Sequence, residues 1–237
     1  MSKSIILTGA GKGLGYSLTK LHLELGDSVW ALEYAITPAL KALMKAYPTT
    51  LTVCECDVGN TDNVRTALKE RVAAKTCVDI VYCIAGIHLI DDEVSIEQTN
   101  WDDAMKMFNI NAAGPMRVLS EACPLLKRGT VVMVVTSEAG SIGDCPRSKE
   151  YGYCMSKAAA NMGVMLFTNA KREQGVRTFC VHPGWLKTDM GGEAAAKSNL
   201  AITAEQSAEA LSSIALHPEE IPEDVIYLDY KRKPIPW

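Results

Sequence analysis

The sequence predicts an α/β fold, a doubly wound parallel sheet of about seven strands with helices on both faces, and three observations carry that prediction. Short apolar runs rich in β-branched residues alternate with longer segments of helical period, the pattern of successive βαβ units. A glycine-rich turn follows the first run, and Gly or Pro punctuates the helical segments. Right-handed crossovers then place a ligand crevice beyond the C-terminal ends of the strands.

In chain order, the first strand is expected at 4–8, followed by a helix at about 13–25 that Gly26 ends. A strand at 28–33 leads to a helix at 38–46 before Pro48, and a strand at 51–55 leads to a helix at 61–75. The run 78–84 is the fourth strand, and a long helix is expected over 101–126, ahead of Gly129. The valine-rich run 130–136 is the fifth strand, and the helix 153–173 stops at Gly175 before a sixth strand at 176–181. A helix at 203–216 and a strand at 225–228 complete the sheet. There is no internal repeat and no low-complexity tract.

Bulk composition narrows the function classes. The 237 residues carry no linker and are read as one domain, 1–237, uniting dinucleotide binding and catalysis; 48% hydrophobic and 22% charged residues suit a globular chain with a sizeable core. A net charge of −4 argues against nucleic-acid binding, and the run Lys231-Arg232-Lys233 reads as a solvated turn. The apolar run Ile5-Ile6-Leu7 is too short for a signal segment or a membrane span, so a cytoplasmic location is expected. Eight cysteines without a CxxC pair read as reduced thiols, and four scattered histidines offer no metal-ligand spacing, so no metal is expected.

The turn after the first strand reads Thr8-Gly9-Ala10-Gly11-Lys12-Gly13-Leu14-Gly15. It misses G-x-G-x-x-G, because Leu14 and Tyr16 occupy the third glycine position in the two registers, but fits T-G-x-x-x-G-x-G. Glycines at these positions let the backbone approach a pyrophosphate, which the free N–H groups and positive end of the following helix stabilise. A P-loop is excluded by the lack of a Lys-Ser/Thr pair, and the plain alternative is a strand-to-helix turn without a ligand. This is the Rossmann-type arrangement. Glu33, closing the second strand, suits ribose hydroxyls and repels a 2′-phosphate, which favours NAD(H) over NADP(H); Lys12 could pair with a 2′-phosphate and argues the other way.

Tyr153 and Lys157 are four residues apart, so on a helix they share one face. With the glycine turn, this pair and Pro183-Gly184 taken together, the chain resembles the short-chain dehydrogenase/reductase family along essentially its whole length, most closely its C-factor and sniffer-like carbonyl reductase branch. The branch likeness rests on the segment Trp185 to Met190 and the C-terminal Pro-Ile-Pro-Trp. The resemblance implies a nicotinamide cofactor and a tetrad of Asn111, Ser137, Tyr153 and Lys157. It also implies adenine contacts from Asp57 and Val58, cofactor contacts from Ala85 and Gly86, and nicotinamide contacts from Pro183, Gly184, Trp185 and Thr188.

The implied chemistry is hydride transfer between nicotinamide and a carbonyl or secondary alcohol, with Tyr153 as general acid/base. Lys157 and an oxidised nicotinamide are expected to lower the phenol pKa from near 10. Ser137 then polarises the substrate oxygen, and Asn111 serves either a water-mediated proton path or a local helix kink. Two departures from the family pattern stand out. Cys83-Ile84-Ala85-Gly86 replaces Asn-Asn-Ala-Gly, removing side-chain bonds that tie the central sheet, and the interval from Ser137 to Tyr153 is longer than usual, so Ser141 competes as the catalytic serine.

Two other classes compete: a non-catalytic NAD(P)-sensing protein on the same fold, and a methyltransferase-like sheet. Only about a dozen alanine-rich residues separate Met190 from the last helix, which predicts a fairly open substrate pocket walled by Ile87, His88, Trp185 and the 144–151 segment. By resemblance, a homodimer or homotetramer would pair through the helices at 101–126 and 153–173.

Overall fold

The computed structural model describes residues 2–89 and 94–237. Its seven strands are β1 (Ser4–Thr8), β2 (Ser28–Glu33), β3 (Leu51–Glu55), β4 (Val78–Cys83), β5 (Leu126–Val135), β6 (Arg177–His182) and β7 (Tyr227–Asp229). All neighbours pair in parallel, in the order β3-β2-β1-β4-β5-β6-β7. The expected Rossmann-type sheet is therefore present, and the order reverses between β1 and β4, which opens a crevice at their C-terminal ends.

The helices are α1 (Gly13–Glu24), α2 (Pro38–Ala46), α3 (Thr61–Ala73), α4 (Trp101–Phe108), α5 (Gly114–Ala122), α6 (Tyr151–Lys171), α7 (Gly192–Lys197) and α8 (Ala204–Leu216). Both faces of the sheet are covered because strand side chains alternate. Ile5 and Leu7 pack with Tyr82, Met133, Phe179, Leu211 and Ile214 on one face. Ile6 packs with Leu68, Val81, Leu119, Val132 and Val164 on the other. Each fully buried aliphatic side chain contributes about 1.5–3 kcal/mol of transfer free energy.

Three expectations are corrected. The helix expected over 101–126 is interrupted by a π-helical turn at Asn109–Ala113. Pro115 has no N–H for the carbonyl of Asn111, so a regular α-helical ladder cannot run through this point, and the widened turn absorbs the mismatch. Its C-terminal end is also extended: β5 begins at Leu126 and carries Gly129 within it at φ +86°, where a shift of register against β4 takes up the irregularity. The short helix α7 lies in a segment read as loop; its Ala-rich sequence has high helix propensity. Smaller shifts of two residues move the start of α6 to Tyr151 and the start of β7 to Tyr227.

Candidate active site

The site is assembled where β1, β4, β5 and β6 end. Thr8 closes β1 fully buried, and its Oγ1 accepts hydrogen bonds from the N–H groups of Ile84 and Ala85, both at 3.0 Å. This hydroxyl supplies the tie between central strands that the missing asparagine left open. Gly9 follows at φ +74°, and a Cβ there would lie 3.0 Å from the Ala85 backbone, so the glycine turn is pressed against the 84–86 segment.

At the N-terminus of α1, Lys12 provides no side-chain cap and the first turn carries no acidic residue. Its orphan N–H donors and the positive end of the helix thus face the crevice mouth, an arrangement that fits a pyrophosphate. Leu14 is buried behind it, and Gly13 lies beside Thr188, whose Cγ2 would be 3.3 Å from an added Cβ. Glu33 is fixed against the same turn: Oε2 accepts the Gly11 N–H at 2.5 Å and Oε1 accepts the Tyr34 N–H at 3.1 Å. Lys12 instead reaches outward to Asp189 at 3.1 Å, with both side chains largely exposed. Asp57 caps a turn by accepting the Gly59 N–H at 2.7 Å, while Val58 is buried against Gly114.

Asn111, Ser137 and the α6 pair Tyr153 and Lys157 come from three places in the chain, and Asn111 and Lys157 meet beside Gly86. A Cβ on Gly86 would lie 3.2 Å from Asn111 Oδ1 and 3.6 Å from Lys157 Nζ. Asn111 sits in the π turn, accepts the Ile87 N–H at 2.8 Å and donates to the Ile87 carbonyl at 2.9 Å and to Ser156 Oγ at 3.0 Å. The π turn and these bonds make its kink-related role and its site position one feature.

Ser137 is buried at the end of β5 and hydrogen-bonds the Tyr153 side chain. Ser141 is committed elsewhere, donating to the Pro236 carbonyl at 2.6 Å and accepting the Asp144 N–H at 3.0 Å. Lys157 Nζ lies 5.5 Å from the Tyr153 ring centroid and donates to the Val135 carbonyl at 3.1 Å. Burial lowers the Lys157 ammonium to about 8 and raises the Tyr153 phenol to about 12. The expected net lowering of the phenol by Lys157 is therefore not found in the protein alone. Burial is the larger effect, the Ser137 hydrogen bond opposes it, and the carboxylates of Glu138 and Glu150 reinforce it.

In comparison with known proteins, the sequence profile described as short chain dehydrogenase matches residues 3–199. The chain belongs to the short-chain dehydrogenase family. It is 31% identical over 210 residues to the 1-hydroxy-2-glutathionyl-2-methyl-3-butene dehydrogenase of Rhodococcus sp. (strain AD45), covering 88% of each chain. It is 35% identical over 164 residues to the C-signal protein of Myxococcus xanthus, covering 68% of this chain and 93% of that one. The structure superposes on a carbonyl reductase from Pseudomonas aeruginosa PAO1 in complex with NADP with a TM-score of 0.82 at 25% identity, over 100% of both chains.

Around the family residues lies a set of charged groups that spacing alone did not reveal. Glu138, next to Ser137, is within 2.7 Å of both Arg147 Nη2 and His182 Nδ1, and its Oε2 accepts from Ser137 Oγ at 3.1 Å. Against the effect of burial, its interactions with His182 and Arg147 hold the Glu138 carboxyl well below the usual range. Arg147 also binds Glu150 at 2.7 Å, and His88 Nε2 approaches Glu150 at 3.4 Å while its ring lies 4.4 Å from that of Tyr153. Of the expected pocket walls, His88 and the 144–151 segment thus border Tyr153, and Ile87 is pinned by Asn111. Gly184 adopts φ +88° beside Tyr230, Pro183 accepts from Ser207 at 2.7 Å, and Trp185 is partly exposed after β6.

Proposed function

We propose that the chain is a nicotinamide-dependent oxidoreductase that interconverts a carbonyl and a secondary alcohol, with Tyr153 as the proton-transfer group. The observation that carries this reading is Ser137 hydrogen-bonded to Tyr153, with Lys157 Nζ 5.5 Å from the phenol ring and next to Gly86. The bound cofactor supplies or accepts the hydride. One domain spanning 1–237 would hold cofactor and reacting groups together, with Thr8, Gly9, Gly11, Lys12, Gly13, Leu14 and Gly15 at the pyrophosphate. Asp57 and Val58 would border the adenine; Ala85, Gly86, Pro183, Gly184, Trp185 and Thr188 would border the nicotinamide.

Ser137 holds the substrate oxygen against the phenol, and Tyr153 delivers or removes the proton on that oxygen. Lys157 brings positive charge beneath the phenol and, by its position, would reach the nicotinamide ribose. An oxidised nicotinamide would add a second positive charge and so oppose the burial that keeps Tyr153 protonated. Asn111 orients Ile87 and the turn that Lys157 shares. His88, Ile87 and Trp185 would wall the substrate.

For the cofactor we propose a preference for NAD(H). Support comes from Glu33, whose carboxylate is fixed on the Gly11 N–H at the ribose end of the turn and would repel a 2′-phosphate. Lys12 favours the opposite reading, as does the NADP held by the Pseudomonas aeruginosa carbonyl reductase. A panel of ketones, aldehydes and secondary alcohols assayed with both cofactors tests activity and preference together. Turnover with NADH at least about tenfold more efficient than with NADPH is expected, about 1.4 kcal/mol of discrimination. Faster turnover with NADPH defeats the preference, and inertness toward the whole panel defeats the activity.

We further propose a homo-oligomer paired through α4 and α6. Trp101, Met105 and Phe108 on α4 and Met155, Met162 and Leu166 on α6 are exposed large apolar side chains at helical spacing, a face suited to a second copy. Met162→Glu combined with Leu166→Glu is expected to convert the wild-type dimer or tetramer to a monomer in light scattering coupled to size exclusion. A monomeric wild-type protein excludes this pairing. Among the described residues no helix is long and apolar enough to cross a membrane, and eight free thiols support a reducing, cytoplasmic location.

A further inference from the structure

Among the described residues, two carboxylates border the phenol proposed to move the proton, an awkward setting for a group that must share its proton with substrate. Glu138 follows Ser137 directly, and Glu150 precedes α6 at φ +62°, a left-handed conformation that non-glycine residues seldom adopt. A single side chain joins them. Arg147 presents Nη2 to Glu138 and Nε to Glu150, each at 2.7 Å, and is itself mostly buried. This guanidinium fork spans the loop between β5 and α6 and fastens it to the residue beside Ser137.

We propose that Arg147 is a positioning residue for the Tyr153 proton transfer, clamping Glu138 and Glu150 across the site and fixing the charge that the phenol faces. The inference rests on Tyr153 being the proton-transfer group. Among the described residues, the groups facing that phenol include Ser137 and Glu138 after β5, Arg147 and Glu150 ahead of α6, and Lys157 on α6. His88 stacks on its ring from the β4 side, His182 reaches Glu138 from β6, and Tyr227 of β7 donates to the Ser137 carbonyl at 2.5 Å. Among them Glu138 and Glu150 stabilise the protonated phenol, whereas Arg147 opposes it.

A simple mechanical tie and an electrostatic clamp predict different results. If Arg147 only held the loop, Arg147→Met and Glu138→Gln would both lower activity in the same way, since each breaks one ion pair. As a clamp of charge, they act with opposite sign. Removing the cation takes the guanidinium from both carboxylates, leaving His182 beside Glu138 and His88 beside Glu150, and keeps the phenol protonated to higher pH; removing the Glu138 charge lets it ionise sooner.

The experiment measures kcat/KM for reduction of phenanthrenequinone, an activated dicarbonyl probe, against pH with NADH and with NADPH. Reduction needs the protonated phenol and the Lys157 ammonium beneath it, so its basic limb reports the pair, both members of which shift in the same direction when a neighbouring charge is removed. Arg147→Met is expected to move that limb up by about one pH unit and Glu138→Gln down by a similar amount, with Arg147→Lys restoring the wild-type position. Cofactor binding by fluorescence shows that each variant is folded. Limbs that coincide with wild type, or that move in the same direction in folded variants, overturn the clamp. Loss of cofactor binding in both clamp variants also overturns it, since the ion pairs would then be holding the fold. Activity retained by Tyr153→Phe, or a wild-type enzyme inert toward the probe, overturns the underlying assignment and the clamp with it.

Discussion

Replacing Tyr153 by Phe is expected to lower kcat by about three to four orders of magnitude, the upper range for loss of a positioned proton-transfer group. The substitution deletes one oxygen and keeps the ring, so the contact with His88 at 4.4 Å and the neighbouring Lys157 at 5.5 Å from the ring centroid have no reason to change. Cofactor affinity should stay within about threefold of wild type, because the loop that fits the pyrophosphate lies on α1 and β1. Steady-state rates and cofactor fluorescence titration check the two halves separately. A variant with near-normal kcat would remove Tyr153 from the chemistry and return the sensor reading to consideration. Lost affinity with a proportionate fall in kcat/KM would make Tyr153 a binding residue instead.

Most of the sheet was legible because its signal is local. β-branched runs such as Val131 to Val135 and the glycine turn after β1 state their conformation within a few residues. The segment 101–126 was not, because its break depends on Pro115 meeting the carbonyl of Asn111 and on Asn111 turning to the Ile87 backbone; the pair Gly114-Pro115 was the available sign. Spacing singled out the pair Tyr153 and Lys157, and the family resemblance pointed to Asn111 and Ser137, whereas neither marked the surrounding charges. Glu138, Arg147, Glu150, His88 and His182 lie on three separate stretches of chain, and none has a neighbour of helical or strand period that marks it as paired. Only the position of Glu138 immediately after Ser137 hinted at a role. The same long-range effect explains the phenol. Sequence spacing predicts that Lys157 is near, but burial and two carboxylates are tertiary facts, and they outweigh it.

Gly15→Ala is expected to do the reverse of Tyr153→Phe, abolishing cofactor binding first. A Cβ on Gly15 would stand 1.9 Å from the carbonyl oxygen of Gly9 and 2.8 Å from its carbon, and both are backbone atoms that no rotamer change can move aside. The first turn of α1 must therefore withdraw from Gly9, which breaks the close approach that aims its N–H donors at the crevice. Stability should fall by about 1–3 kcal/mol, as for other overpacked sites, and cofactor affinity by at least about 100-fold. Gly26→Ala is the control: this glycine lies outside α1 at positive φ, +82°, and has nothing within 4 Å of the added carbon. It should lose about 1 kcal/mol of stability through backbone strain alone and bind cofactor normally. If Gly15→Ala binds as tightly as Gly26→Ala, the contact between the two ends of the loop is only a folding constraint, and the pyrophosphate lies elsewhere. If it binds at least 100-fold more weakly while remaining folded, the Gly9 to Gly15 contact sets the cradle, and binding and chemistry separate between α1 and α6.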